Sequence, residues 1–251
     1  MKKYQMELVV KEIYFLSDGL LHMVLEPENG EMPAMSPGQF VEVGVDKSKT
    51  LLNRPFSIYN RNDNQLELLV KDLGAASSAL REYHHGDKLR VIGPLGKGFC
   101  TDKRKPLLIG GGVGIAPLLY LARIYKELGV EATIIFGNRT APSAEIVDRL
   151  SKVAKVEICT DDGSMGFHGL VTDHPLFCHG AFDIVQCCGP LPMMKGVAAK
   201  SRKEALPCEV SLENKMACGL GACLCCVEPT ETGNRCVCTD GPVFNINELK
   251  W

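Results

Sequence analysis

From Met1 to about Cys100 the chain runs in short apolar–polar alternations broken by turn residues. "QMELVVKEI", "LHMVLEP", "GQFVEVGV", "FSIYN", "QLELLVKDL" and "DKLRVIGPLG" each read as a short strand. Between them fall the turn-rich stretches "PENGE", "SPGQ", "NRNDNQ" and "HHGD". Many short strands joined by regular turns predict a small closed antiparallel barrel.

From about Lys105 the rhythm changes. "PLLIGGG" is a buried-strand run, and "APLLYLARIYKELG" carries Leu118, Leu121, Ala122, Tyr125 and Leu128 at helical spacing. Pro117 suits a first helical turn and Gly129 a stop. "EATIIFGN", "KVEICTDD" and "FDIVQCCGP" read as strands and "SAEIVDRLSKVA" as a helix. This alternation predicts a parallel α/β sheet. From about Pro207 the chain is rich in cysteine and glycine with little periodicity, so it is expected to be too small to bury a core and to need a staple. The expected organisation is a β-barrel domain at 1–101, an α/β nucleotide-binding domain at 102–206 and a small cysteine-rich domain at 207–251.

Composition changes the picture in what it excludes. The 251 residues are 45% hydrophobic and 23% charged, with a formal net charge of -2, so the basic excess of a nucleic-acid binder is missing. Six per cent aromatics and one tryptophan also argue against a base-stacking platform. "MKKYQMELVVKEIYFL" has no uninterrupted apolar run and no small-residue cleavage site, so no signal peptide is expected. "PLLIGGGVGIAPLLYLA" is the most apolar segment, but its glycines and proline favour strand–turn–helix over a membrane span. The expectation is a soluble, cytoplasmic protein, where thiols stay reduced. Its 12 cysteines then point to metal or redox chemistry rather than disulfides.

Four stretches are candidates for ligand binding. In "IGGGVGIAPLL", Gly110, Gly111, Gly112 and Gly114 permit a tight turn and close approach of a pyrophosphate to a helix N-terminus. The spacing departs from strict G-x-G-x-x-G, and a turn that binds nothing reads the same. "LNRPFSIYN" offers Arg54, Pro55, Phe56 and Ser57, a phosphate clamp beside a ring-packing aromatic, or simply a strand with a solvated arginine. "LVKDLGAASSAL" enters a helix through Gly74, Ala75, Ala76 and Ser77, a second phosphate position or a plain cap. "VQCCGPLPMMKGV" ends a strand at Cys188-Gly189-Pro190, at the sheet edge where α/β folds bind ligands, although Cys187 and Cys188 also read as buried apolar thiols.

Six cysteines crowd into "MACGLGACLCC" and "CVCTDG". Cys218, Cys223 and Cys226 stand in C-x4-C-x2-C spacing, and Cys238 follows, which is the plant-type [2Fe–2S] pattern. A zinc site of Cys223, Cys226, Cys236 and Cys238 is the rival, and it leaves Cys218 and the glycine loop without a task.

"RPFS", "GGGVGIAPL" and "CGPLPMM", in this order, resemble the ferredoxin–NADP reductase superfamily. "MACGLGACLCCV" with "VCTDGPVF" narrows the resemblance to the electron-transfer subunits of class 1B dihydroorotate dehydrogenases, over essentially the whole chain. The resemblance implies that Arg54, Pro55, Phe56 and Ser57 contact FAD, with Leu69, Val70 and Lys71 flanking its isoalloxazine and ribityl region. Gly74, Ala76 and Ser77 would meet the FAD pyrophosphate, where relatives carry G-x-G-T and this chain reads Gly74-Ala75-Ala76-Ser77. Gly111, Gly112 and Gly114 would hold the phosphates of NAD under the loop "TDDGSMGFHG", with Cys188 and Gly189 near the nicotinamide. Cys218, Cys223, Cys226 and Cys238 would ligate a [2Fe–2S] cluster.

The implied mechanism is electron splitting: a hydride is exchanged between NAD and FAD, and single electrons between FAD and the cluster. The implied partner is an FMN-containing dihydroorotate dehydrogenase catalytic subunit of pyrimidine biosynthesis, in a heterotetramer of two of each chain. No catalytic residue for dihydroorotate oxidation is expected here. The chain is also similar to small subunits of ferredoxin:NADP oxidoreductases and sulfide dehydrogenases, which share "TDDGS" and "MACG". There one ligand is commonly not cysteine, so four cysteines favour the first family. An NADP site would need a cation, and Arg139 in "FGNRT" follows the right strand, unless it is a solvated loop residue. The expectation of NAD rests on the resemblance.

Overall fold

The alternation of the first hundred residues folds into six strands: β1 (Tyr4–Phe15), β2 (Leu20–Pro27), β3 (Phe40–Gly44), β4 (Arg54–Asn62), β5 (Gln65–Lys71) and β6 (Lys88–Leu95). They close an antiparallel barrel in the order β1-β2-β5-β4-β3-β6. Every second side chain points inward, so Leu8, Met23, Val41, Leu68, Val70 and Val91 meet in one core. A short helix, α1 (Ala75–Ala79), follows β5. The computed structural model describes residues 2–16, 19–178 and 180–251.

The second layer begins with β7 (Pro106–Gly111), a 3₁₀ turn at Gly112–Ile115 and α2 (Ala116–Glu127). Pro117 sits in the first helical turn, where a missing N–H costs nothing, and Gly129 leaves the helix at φ +72°. There follow β8 (Thr133–Asn138), α3 (Ala144–Ser151), β9 (Lys155–Thr160), β10 (Phe167–His168), β11 (Ile184–Cys188) and α4 (Leu191–Lys203). The chain ends with β12 (Cys208–Ser211), the hairpin β13 (Val227–Thr230) and β14 (Gly233–Cys236), and β15 (Val243–Asn245). The large sheet runs β10-β9-β8-β7-β11-β12-β15, parallel up to β12 and antiparallel at β15. Chain direction along the sheet reverses between β7 and β11, so the turns after these strands flank the crevice where such sheets take ligands.

The cysteine-rich end departs from the expectation of a segment without a core. β12 and β15 both lie beyond residue 206 and both belong to the large sheet. Cys226, Val237, Phe244 and Leu249 share one apolar core with Ile109 and Val185. The same segment grips the barrel. Lys97 N–H donates to the Gly241 carbonyl at 2.5 Å, and a Cβ on Gly96 would lie 2.5 Å from Pro242. Among the described residues no helix is long and apolar enough to cross a membrane.

Candidate functional site

The barrel opens at one edge. β4 and β5 are paired as far as Ile58 and Leu68 and then part. β4 goes on with β3, matching Ser57 to Phe40 and Arg54 to Val43, while β5 stays with β2, matching Lys71 to Leu20. The backbones of Arg54–Ser57 and Leu69–Lys71 therefore border a gap in the ladder, where main-chain groups can meet a flat ligand with a polar edge.

The side chains along this edge divide the work differently from the sequence expectation. Val70 points into the barrel core and Leu69 into a core shared with α2, so both can reach a cofactor through backbone alone, while Lys71 is exposed at the rim. Phe56 and Ser57 are half-buried beside Pro55, and the Arg54 guanidinium donates to the Leu52 and Asn53 carbonyls at 2.8 and 3.0 Å. Beyond the edge, Gly74 is extended at φ 172°, a conformation open to any residue, and Ala76 is buried. The Ser77 hydroxyl accepts from the Leu73 and Gly74 amides at 2.9 and 3.0 Å. It caps its own turn and must let go of it to meet a phosphate.

A cleft of about 690 Å³ lies between barrel and sheet, walled by Leu20 and Lys71 on one side and Gly111, Gly112 and Val113 on the other. Gly112 has φ +53°, and a Cβ there would meet nothing within 4 Å, so its backbone faces open cleft. Gly111 and Gly114 have another use: a Cβ on the first would lie 2.6 Å from Met193 Sδ, on the second 2.6 Å from the Cys188 carbonyl. They seat the turn Cys188-Gly189-Pro190 against the glycine loop, and Gly114 stands outside the cleft wall. Burial, then the nearby Glu213 carboxylate, push the Cys188 thiol up to about 12 against a Ser211 hydrogen bond, so it is neutral near pH 7. Arg139 lines the cleft together with Asp161.

The cysteine loop is wound by three left-handed residues, Gly219, Gly221 and Leu224, at φ +62°, +85° and +57°. Their effect is to turn amides inward. Leu220 and Cys223 N–H groups donate to Cys218 Sγ at 3.3 and 3.5 Å, and Cys238 N–H to Cys226 Sγ at 3.4 Å. These amides, Leu220 first, hold the Cys218 thiol down to about 6. Burial, and then the Cys226 sulfur, push Cys238 up to about 12, so that ligand needs a metal's charge to lose its proton. Amides aimed at sulfurs, with Cys223 exposed and Cys226 and Cys238 buried, suit a cluster held near a surface. Cys225 is exposed, and Cys236 packs against the core with its N–H on Asp240 at 2.9 Å. Among the described residues no three Cys, His, Asp or Glu side chains lie close enough to hold a single metal ion, the four expected cluster ligands included.

Two buried carboxylates escape sequence reasoning. Glu42 is 1% exposed, touches Gly219 and has no hydrogen-bond partner on either oxygen among the described residues. Burial, then the Cys218 charge, raise it to about 7, with Arg54 opposing. Glu67 is also buried, but its hydrogen bonds with His22 and Asn60 and the charges of His22 and Arg149 overcome the burial penalty and hold it at about 2. Both occupy outward positions of alternating strands, which read as solvent-facing. The covering segments arrive from far along the chain, so no local signal marks them.

Known proteins match both halves of this geometry. Residues 5–99 match the oxidoreductase FAD-binding domain family, and residues 213–250 the iron–sulfur cluster binding domain of dihydroorotate dehydrogenase B. The chain is 36% identical over 251 residues to the dihydroorotate dehydrogenase B (NAD(+)), electron transfer subunit of Clostridium acetobutylicum, covering 99% of this chain and 98% of the relative. The subunit of the same name from Shouchella clausii is 36% identical over 260 residues, covering 99% of each. A chain from the structure of the NADH-dependent reduced ferredoxin-NADP oxidoreductase superposes with a TM-score of 0.83 at 28% identity, over 97% of this chain and 90% of that one. A ferredoxin reductase of carbazole 1,9a-dioxygenase, at 21% identity and TM-score 0.69 over 82% and 68%, shares the fold. FAD and an iron–sulfur cluster are the cofactors of these domains, and the chain belongs to the family of dihydroorotate dehydrogenase B electron-transfer subunits.

Proposed function

We propose that this chain carries electrons between NAD in the barrel–sheet cleft and an FMN-bearing catalytic subunit that docks over the cysteine loop and oxidises dihydroorotate. The observation that carries the reading is the set Cys218, Cys223, Cys226 and Cys238, exposed at Cys223 and buried at Cys226 and Cys238, joined in one fold to a split barrel edge and a glycine-walled cleft. FAD, when bound, supplies both hydride exchange with the nicotinamide and one-electron exchange with the cluster. Arg54, Pro55, Phe56 and Ser57, with the backbone of Leu69–Lys71, orient the flavin ring, and Gly74, Ala76 and Ser77 receive the pyrophosphate. Gly112 admits the NAD phosphates, while Gly111 and Gly114 hold Cys188 and Gly189 beside the nicotinamide. The neutral Cys188 thiol adds no charge there. The four cysteines hold a [2Fe–2S] cluster, and exposed Leu220 and Leu224 give the loop an apolar rim for the partner.

The assembly in this reading is two of each chain, in the cytoplasm. The likeness to the ferredoxin-linked structure favours one alternative, a partner that exchanges electrons with ferredoxin. Anaerobic purification of the native complex separates the two. A companion whose FMN bleaches with dihydroorotate, followed by reduction of FAD and cluster, supports the first. A companion that ignores dihydroorotate and carries further iron–sulfur centres supports the second. Cys223→Ser is expected to lose the cluster and electron transfer to the partner while FAD stays bound.

A further inference from the structure

Residues two apart share one face of a strand, so Glu67, Leu69 and Lys71 form an outward row on β5. Lys71 walls the cleft and Leu69 packs into the core shared with α2. Glu67 is gripped by the other layer. Its Oε2 accepts from Arg149 Nη1 of α3 at 3.0 Å and meets His22 Nε2 of β2 at 2.7 Å. Its Oε1 accepts from Asn60 Nδ2 at 2.8 Å, and Asn60 Oδ1 accepts from Arg123 Nη1 of α2, also at 2.8 Å. Arg149 lies 5.9 Å over the Tyr59 ring. The carboxylate thus holds an arginine of α3 directly and orients, through the Asn60 amide, the oxygen that receives an arginine of α2. β2 repeats the row, with His22 in this strut and Leu20 at the cleft, paired with Lys71.

We propose that Glu67, with Arg149 and Arg123, is the positioning group that sets the width of the nucleotide cleft, and so governs the hydride step without touching the electron step toward the cysteine loop. The proposal rests on the NAD-to-flavin reading above. Strut and cleft occupy two ends of the same two strands, four residues or about 13 Å apart along β5. The apolar contact between them, at Leu20, Tyr59 and Leu69, resists separation but has no preferred direction against sliding. The hydrogen bonds of the strut supply that direction. The cysteine loop is held through other strands, by Glu42 of β3 under Gly219 and by Lys97 beyond β6 on Gly241. The cysteine segment also belongs to the large sheet through β12 and β15, so slip at the strut pivots the sheet about these two pins and moves the nicotinamide wall more than the loop.

The test uses the complex with its catalytic subunit and the variants Glu67→Gln, Arg149→Met and Arg123→Met. Stopped flow reads flavin reduction from each side, by NADH and by dihydroorotate. Flavin reduction by NADH is expected to slow about ten- to a hundredfold in the first two, since a misplacement of about 1 Å costs up to about a hundredfold. Arg123→Met should show a smaller loss. Reduction by dihydroorotate and FAD content should hold, and Arg149→Lys should restore part of the NADH rate. If Glu67→Gln folds poorly, the half-exposed arginine variants carry the test. Unchanged NADH rates in all variants, or both rates falling together, would overturn the proposal. A wild-type complex reduced by NADH but not by dihydroorotate sinks the pathway reading instead, and the strut is then judged on the NADH rate per bound FAD.

Discussion

Glu67 and Glu42 stand on strands of the same barrel, both facing out and both covered by chain arriving from elsewhere. Over Glu67, α3 brings an arginine, and the carboxyl is held at about 2. Over Glu42, the cysteine loop brings Gly219, which has no side chain to offer, and the carboxyl rises to about 7. Burial is common to both, so the partner decides the outcome. A paired carboxylate becomes a mechanical joint. An unpaired one under a cluster loop stays responsive to the charge that loop carries.

The largest effect expected is at the joint. Glu67→Ala leaves His22 and Arg149 without their acceptor. Breaking a buried pair costs about 3–5 kcal/mol, and solvent reaching Arg149 trims this to about 3 kcal/mol. Urea denaturation of the FAD-loaded chain should read a loss of that order. A loss no larger than that of a surface glutamate such as Glu12 would erase the contrast between the two carboxylates. Next is Gly219→Ala, strained at φ +62° and with its Cβ 2.7 Å from Glu42 Cγ, expected to cost about 2 kcal/mol. Gly86→Ala, at φ +90° with no atom within 4 Å, is the control and should cost about 1 kcal/mol. Adding Glu42→Ala should recover part of the Gly219→Ala loss and none of the control's.

The same pair of residues shows where the sequence is legible. Alternation predicts the barrel because inward residues such as Val41, Val43 and Leu68 recur at period two, and no other element has that period. It reads Glu42 and Glu67 as outward, which they are, and as solvated, which they are not. Exposure depends on a distant covering segment, and strand period carries no information about it. The cysteine spacing marks an iron–sulfur segment because such spacing is local, whereas β12 and β15 are too short to show a period and are strands only because β11 pairs with β12 and β12 with β15. α4 escaped because "PLPMMKGVAAKSRK" opens with prolines and holds a glycine. Pro190 is the N-cap and Pro192 falls in the first turn, where both are tolerated, and Gly196 lies against Thr172. Of the glycines assigned to phosphates, the motif could not separate Gly112, open to the cleft, from Gly114, pressed on Cys188.

pH sharpens the contrast, because the two carboxyls move stability in opposite directions. Glu42 titrates at about 7 in the fold against an ordinary 4.5, so the native state binds the extra proton between these values. Its contribution therefore falls as pH rises from 4.5 through about 7. Glu67, at about 2 against 4.5, contributes fully above 4.5 and loses it as pH falls toward 2. Glu42→Gln removes the buried charge but leaves an amide to satisfy, for a net gain of about 1 kcal/mol at pH 8. That gain should vanish by pH 5, where Glu42 is already neutral. Urea midpoints of the cluster-free chain at both pH values check this, and equal gains at the two would show that the carboxyl does not titrate between them.

The smallest effect tests whether Glu42 and the loop feel each other at all. In the cluster-free chain Cys218, at about 6, is largely thiolate at pH 7, while the buried Cys238, at about 12, is not. Iodoacetamide followed by mass spectrometry should therefore label Cys218 well before Cys238. Like charges oppose each other's ionisation, and Cys218, at about 6, ionises ahead of Glu42, at about 7, so it is chiefly the thiolate that holds back the carboxylate. At pH 6 about half of Cys218 is thiolate while Glu42 is still about nine-tenths protonated. Glu42→Gln should therefore leave the labelling nearly unchanged there, whereas Cys218→Ser should shrink the stability gain that Glu42→Gln gives at pH 8. By pH 8 the thiolate fraction is already near its limit and labelling in Glu42→Gln should match the parent. Glu67→Gln should do nothing at either pH, since its field ends in Arg149 and His22. A pH 8 gain from Glu42→Gln that ignores Cys218→Ser would mean the two groups are insulated from each other, and burial alone would then hold Glu42 up.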